Sequence, residues 1–176
     1  MNRREAIQQA VLLLGGMIAA PTLAGANGQK IYWGESVPVT AEQEAMLAEL
    51  ADVIIPTTST PGAKAAGVEK FIVRVMRDCY PKAEQEKFYE GLTQLNNEVR
   101  QKFGKSFMEL STEQKNQAVK DLTTSNKPFF LRAKELTVTG YFTSEIGATQ
   151  ALAYVAVPGR FEGCVPLKPG QKAWAI

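Results

Sequence analysis

The sequence predicts an all-α domain, an irregular bundle of about five helices with long loops and an irregular, Pro/Gly-rich C-terminal tail. Three observations carry this. Apolar residues recur at helical spacing in five separate stretches. Two of those stretches are announced by capping boxes, T-A-E-Q at Thr40–Gln43 and S-T-E-Q at Ser111–Gln114. No stretch alternates apolar and polar residues as a half-buried strand would.

The first 26 residues read as an address. Arg3 and Arg4 precede an apolar stretch, Ala10 to Ala20, then Pro21 and the small triplet Ala24-Gly25-Ala26. These are the charged region, apolar region and A-x-A cleavage site of a secretory signal. The apolar run is too short for a bilayer, which takes roughly 20 residues. Adjacent arginines before a modestly apolar, Gly-containing run favour the twin-arginine route, which carries folded proteins. Ala6 stands where that pattern prefers Phe, and Ile7 is close to the Leu expected next. The other reading of this stretch is an N-terminal amphipathic helix. The expected division is a leader over 1–26 and one helical domain over 27–176.

Asn27 to Pro38 reads as an extended lead-in, with Tyr32 and Trp33 as anchors. The first helix starts at Thr40, presents Met46, Leu47, Leu50, Val53 and Ile54 inward, and stops at Pro56. PTTSTPGAKAAG is a loop. The second helix begins near Val68, with Val68, Phe71, Ile72, Val75, Met76 and Cys79 as a buried stripe. Pro81 breaks it. The third runs from about Lys82 to Phe103 on Phe88, Leu92, Leu95, Val99 and Phe103, with Gly104 as its stop. Glu84, Glu86 and Glu90 among Lys82, Gln85 and Lys87 read as a solvated face. The fourth starts at Ser111 with Val119 and Leu122 inward. The fifth starts near Pro128 and runs through Phe129, Phe130, Ala133, Leu136 and Gly140. A short helical piece follows over Ser144 to Leu152, and from Tyr154 the chain is irregular.

Composition narrows the chemistry. Of 176 residues, 45% are hydrophobic and 22% charged, enough for one sizeable core. Net charge is +2, and the leader holds +1 of it (Arg3, Arg4, Glu5), so the rest of the chain carries +1. That gives no electrostatic case for nucleic acid. With no histidine, Ser-His-Asp and Cys-His catalysis and every His-containing metal site are excluded. Two cysteines cannot supply an all-cysteine zinc or iron–sulfur site. There is no GxGxxG, GxxxxGK[ST], CxxC or CxxCH. No catalytic or metal-binding residue is therefore assigned, and an enzyme acting alone is disfavoured.

In an exported protein, Cys79 and Cys164 favour a disulfide. Closing a loop of about 85 residues would stabilise by roughly 4–5 kcal/mol in the chain-entropy model. The other readings are a free, buried Cys79 with Cys164 free or bridged to a partner. Aromatics crowd the last third: Phe129, Phe130, Tyr141, Phe142, Tyr154 and Phe161. From Tyr141 to Phe161 they fit either a core or a permanent interface, where Arg160 would make an anchor.

Two blocks are specific. LADVIIPTTSTPGAKAAGVEKFI and, later, VTGYFTSEIGATQALAYVAVPGRFEGCVPL follow a twin-arginine-like leader. With them the chain resembles the gluconate 2-dehydrogenase subunit 3 family, from about Glu44 to Leu167. The resemblance implies a non-catalytic small subunit of a periplasmic, membrane-associated sugar or sugar-acid dehydrogenase. Its partner would be a large GMC-type flavoprotein holding FAD, with a cytochrome c subunit often taking the electrons onward. This chain would supply the leader read by the twin-arginine translocase, escort the folded flavoprotein and stay bound to it. Similar small subunits serve glucoside 3-dehydrogenase, fructose dehydrogenase and glucose dehydrogenase systems. The motif residues Pro56, Thr57, Thr60, Pro61 and Gly62, and Tyr141, Phe142, Glu145, Tyr154, Pro158, Gly159, Arg160 and Phe161, would be contact or fold-defining positions. The competing expectation is a free-standing periplasmic helical sugar-binding protein, a monomer that binds small ligands without a partner.

Overall fold

The structure, a computed structural model, describes residues 36–157, 159–160 and 163–175. Arg3, Arg4, Ala24, Ala26, Tyr32, Trp33, Pro158 and Phe161 lie outside the described residues. The elements are α1 (Ala41–Ile54), α2 (Val68–Cys79), α3 (Lys82–Phe103), a 3-10 turn (Phe107–Glu109), α4 (Thr112–Ser125), α5 (Lys127–Phe142) and a π-helical turn (Gly147–Ala151). Among the described residues there is no strand, only an isolated parallel bridge between Ala153 and Trp174. The expected all-α architecture is what the chain adopts.

The helix boundaries follow local chemistry. Before α1, the Thr40 hydroxyl accepts from the Gln43 N–H (3.2 Å) while Gln43 Oε1 accepts from the Thr40 N–H (3.0 Å). Two orphan donors of the first turn are thereby satisfied. Ser111 and Gln114 do the same for α4. α1 ends ahead of Pro56, which excludes the preceding residue from helical backbone; Ile55 sits at φ −130°, ψ 86°. Gly104 closes α3 at φ +70°, a left-handed conformation that suits glycine, and its N–H donates to the Arg100 carbonyl (2.9 Å). Asn126 ends α4 and caps α5, its Oδ1 accepting from the Phe129 N–H (3.3 Å), with Pro128 in the first turn.

Each of α1, α3 and α5 packs against all four other helices. The core lies where they meet: Leu47, Leu50, Ile72, Met76, Phe88, Leu92, Leu95, Leu122, Phe129 and Leu136 are buried in one cluster. Phe88 meets the tilted ring of Phe129 at 5.2 Å between centroids.

Two expectations change, and one unassigned segment gains structure. Gln85 is buried rather than on the solvated face: its Oε1 accepts from the Val37 N–H (2.9 Å) and its Nε2 donates to the Tyr80 carbonyl (2.8 Å). It sits three residues before Phe88 on the inward side of α3, and its two bonds make burial affordable. Glu84, Glu86, Glu90, Lys82 and Lys87 are exposed. Cys79 is exposed, not buried on the α2 stripe; it is the last residue of the helix, and the chain leaves it in extended backbone at Tyr80. Residues 107–109, unassigned from the sequence, form the 3-10 turn. Glu109 accepts from the Ser106 N–H (2.9 Å) and Asn96 Oδ1 accepts from the Phe107 N–H (3.0 Å), which sets Phe107 fully inside the core.

Candidate partner interface

The α1–α2 loop folds around Gly62. Its N–H donates to Thr57 Oγ1 (2.9 Å), and the Ala63 N–H donates to the Ile55 carbonyl (2.9 Å). A Cβ on Gly62 would stand 2.6 Å from the Thr57 nitrogen and 2.8 Å from the Ile55 oxygen, both backbone atoms. Glycine is therefore the residue that lets this turn close. The loop is tied outward by Glu49 on α1, which accepts from Lys64 in the loop and from Lys115 on α4 (2.8 Å). Lys115 and then Lys64 hold the Glu49 carboxyl below the usual carboxylate range.

The second motif begins at the end of α5 and reaches this loop. Tyr141 is 2% exposed, and its hydroxyl donates to the Pro61 carbonyl (2.7 Å). Two blocks eighty residues apart in sequence are thus joined by one buried phenol. Beyond it, the Ser144 hydroxyl donates to the Tyr141 carbonyl (2.6 Å) and accepts from the Gly147 N–H (3.0 Å). That pair turns the chain from α5 into the π-helical turn. Gly147 is buried, and a Cβ there would fall 1.9 Å from the Tyr141 oxygen.

The motif residues therefore sort into two groups. Tyr141 and Gly62 are inside the fold, and so hold its shape rather than its surface; Thr60 and Pro61 are half-buried beside them. Pro56, Thr57, Phe142, Glu145, Tyr154, Gly159 and Arg160 are exposed. Exposed large apolar side chains concentrate from here on. Of the nine among the described residues, seven lie at or after Phe142: Phe142, Tyr154, Val155, Val157, Val165, Leu167 and Trp174. Val157 and Leu167 are each 82% exposed. Of the two adjacent aromatics, Tyr141 is buried in the core and Phe142 is exposed.

The Cys79–Cys164 bridge is absent here: both cysteines are free and exposed. The tail is held to the body by backbone bonds at Ala153 instead.

A groove of about 460 Å³ opens between α2, α3 and α5, lined by Met76, Phe88, Gln94, Asn126 and Arg132 among others. Three of its polar side chains, Gln94, Asn126 and Arg132, bond within the fold, and the exposed Glu84, Lys87 and Glu90 also line it. Asn126 Nδ2 donates to Gln94 Oε1 (3.1 Å), and Arg132 Nη1 donates to the Tyr80 hydroxyl (2.8 Å) and to Glu135 (3.0 Å). Those bonds tie α5 to α3 and to the α2–α3 junction. Among the described residues no three Cys, Asp or Glu side chains gather to hold a metal, and no helix is long and apolar enough to cross a membrane.

A family model described as gluconate 2-dehydrogenase subunit 3 matches residues 41–159, which include the α1–α2 loop, all five helices and the start of the exposed tail. No curated protein and no solved structure matches significantly.

Proposed function

The chain belongs to the gluconate 2-dehydrogenase subunit 3 family, and from that premise we propose that it is the non-catalytic small subunit of a periplasmic FAD-dependent sugar or sugar-acid dehydrogenase. Family membership makes it a subunit of a dehydrogenase complex. The finer reading is that it binds a folded, GMC-type flavoprotein, carries it through twin-arginine export on its own leader, and remains bound to stabilise it. FAD and the oxidation chemistry then reside in the flavoprotein, and a cytochrome c subunit receives the electrons.

The observation that carries this reading is the exposed apolar segment beginning at Phe142, next to the joint between the two motifs. A stable interface buries about 1,200–2,000 Å² in total and draws most of its energy from aromatic and arginine anchors. Tyr154, Trp174 and Arg160 supply such anchors on one segment, all of them exposed. A leader for folded cargo on a chain without a cofactor motif fits the same account, since the cargo is the cofactor protein.

The export role is tested by replacing Arg3 and Arg4 with Lys and assaying flavin-dependent sugar oxidation in separated cytoplasmic and periplasmic fractions. The expected result is flavoprotein retained in the cytoplasm. Flavoprotein that still reaches the periplasm would rule out the escort role.

A further inference from the structure

We propose that a polar cleft between α1 and α3, centred on the Tyr89 hydroxyl, binds a neutral polyhydroxylated ligand of sugar size; nothing in this rests on the subunit reading above. The cleft holds about 480 Å³, within the range of ligand sites. Gln43, in the first turn of α1, lines it from one side. The other side is α3, where Tyr89, Thr93 and Asn97 recur every four residues and Glu90 and Gln94 run beside them. That spacing sets two rows of hydrogen-bonding side chains along the helix.

Tyr89 is what a merely solvated helix face does not explain. It is 4% exposed, with its ring edge-to-face on Phe88 at 5.5 Å between centroids. No hydrogen bond within the chain reaches its hydroxyl, whereas buried polar groups are normally paired. Among the described residues the sealed side-chain oxygen without a partner is Glu69 Oε2, so the Tyr89 hydroxyl is not sealed and opens on the cleft that the residue lines. Burial, and then the Glu44 carboxylate, push this phenol up to about 12. At neutral pH it therefore keeps its proton and can both give and take a hydrogen bond.

The neighbouring groups are partly used, and what remains is mixed. Gln43 Oε1 accepts from the Thr40 N–H (3.0 Å), which leaves the Nε2 donors. Thr93 Oγ1 donates to the Tyr89 carbonyl (3.0 Å), which leaves its lone pairs. Asn97 and Glu90 form no hydrogen bond or ion pair, which leaves an amide and a carboxylate. Gln94 is committed to Glu98 (2.7 Å) and Asn126 (3.1 Å). A hydroxyl both donates and accepts, so several hydroxyls on one small ring can meet this set of donors and acceptors together. Of the described lining side chains Glu90 alone is charged, and Glu44 acts on Tyr89 with the same sign. An anion is thereby disfavoured, while a carboxylate suits hydroxyl donors.

The test is a titration of the isotope-labelled full chain with D-glucose, maltose and D-gluconate, followed by nuclear magnetic resonance. Glucose is expected to shift the side-chain amide signals of Gln43 and Asn97 with millimolar affinity. Gluconate is expected to bind about tenfold more weakly, and Glu90→Gln to narrow that gap. Tyr89→Phe is expected to weaken glucose binding about five- to tenfold and to leave thermal unfolding unchanged, because the hydroxyl serves nothing inside the fold. The hydroxyls can come from a free sugar or from the end of an oligosaccharide; maltose binding no tighter than glucose supports the first, and tighter binding the second. Silence at Gln43 and Asn97 with either sugar at about 100 mM, far above the expected affinity, would overturn the site. A Tyr89→Phe chain that binds as the parent does, or that unfolds at lower temperature, would overturn the role of the hydroxyl. Gluconate binding as tightly as glucose would overturn the selection by charge.

Discussion

Tyr141 does two things with one side chain. Its ring is buried in the core at the end of α5, and its hydroxyl satisfies the Pro61 carbonyl of a loop eighty residues earlier. A buried carbonyl left without its donor costs about 1–3 kcal/mol. Tyr141→Phe keeps the ring and removes only the donor, so we expect a loss of about 1 kcal/mol in urea denaturation with unchanged helical content. A loss near zero would mean that the motif joint adds nothing to stability. The position was legible in outline. Tyr141 lies eight residues after Ala133 and four after Thr137, both buried, so helical spacing alone directs it inward. Its chemistry masked this, because a tyrosine in a Gly-rich, low-charge stretch also suits an interface. Gln85 was hidden in the same way: spacing places it inward, three residues before Phe88, while its polarity suggests the outside. Only the two bonds to Val37 and Tyr80 resolve it.

The elements were the most legible level, since their ends are written in short-range chemistry. Thr40, Ser111, Pro56, Gly104 and Pro128 mark boundaries that the structure keeps. The 3-10 turn at Phe107–Glu109 was not read, although Ser106 and Glu109 form a capping box there; with three residues there is no apolar period to notice. Gln85 matters most as a link between elements, tying the lead-in at Val37 to the α2–α3 junction at Tyr80. Gln85→Leu preserves volume and removes both bonds. The expected cost is about 1–3 kcal/mol, with faster hydrogen exchange at the Val37 amide and unchanged exchange in the middle of α5. Unchanged exchange at Val37 would show that the lead-in is held by something other than Gln85.

At the scale of the whole molecule, the helical body and the exposed tail have different causes. The body follows from burial: five apolar faces close on one core. The tail's backbone is bonded at Ala153 and at the Lys168–Gln171 turn, while Tyr154, Val155, Val157, Val165, Leu167 and Trp174 remain exposed. Hydrophobic periodicity could not forecast this, because the tail has no helical or strand period and its two closing bonds are made by backbone groups of alanines. The same blindness applies to the cysteines, whose spacing says nothing of whether their sulfurs meet. The family is that of a dehydrogenase subunit, and an apolar segment left in solvent beside a formed core suits a chain that works within a larger assembly. The most direct measurement is the visible spectrum of this chain purified gently from its native host, through a tag joined by a flexible linker. The account predicts a flavin spectrum, a larger co-eluting chain and dye-linked sugar oxidation. A colourless, monomeric eluate would contradict it.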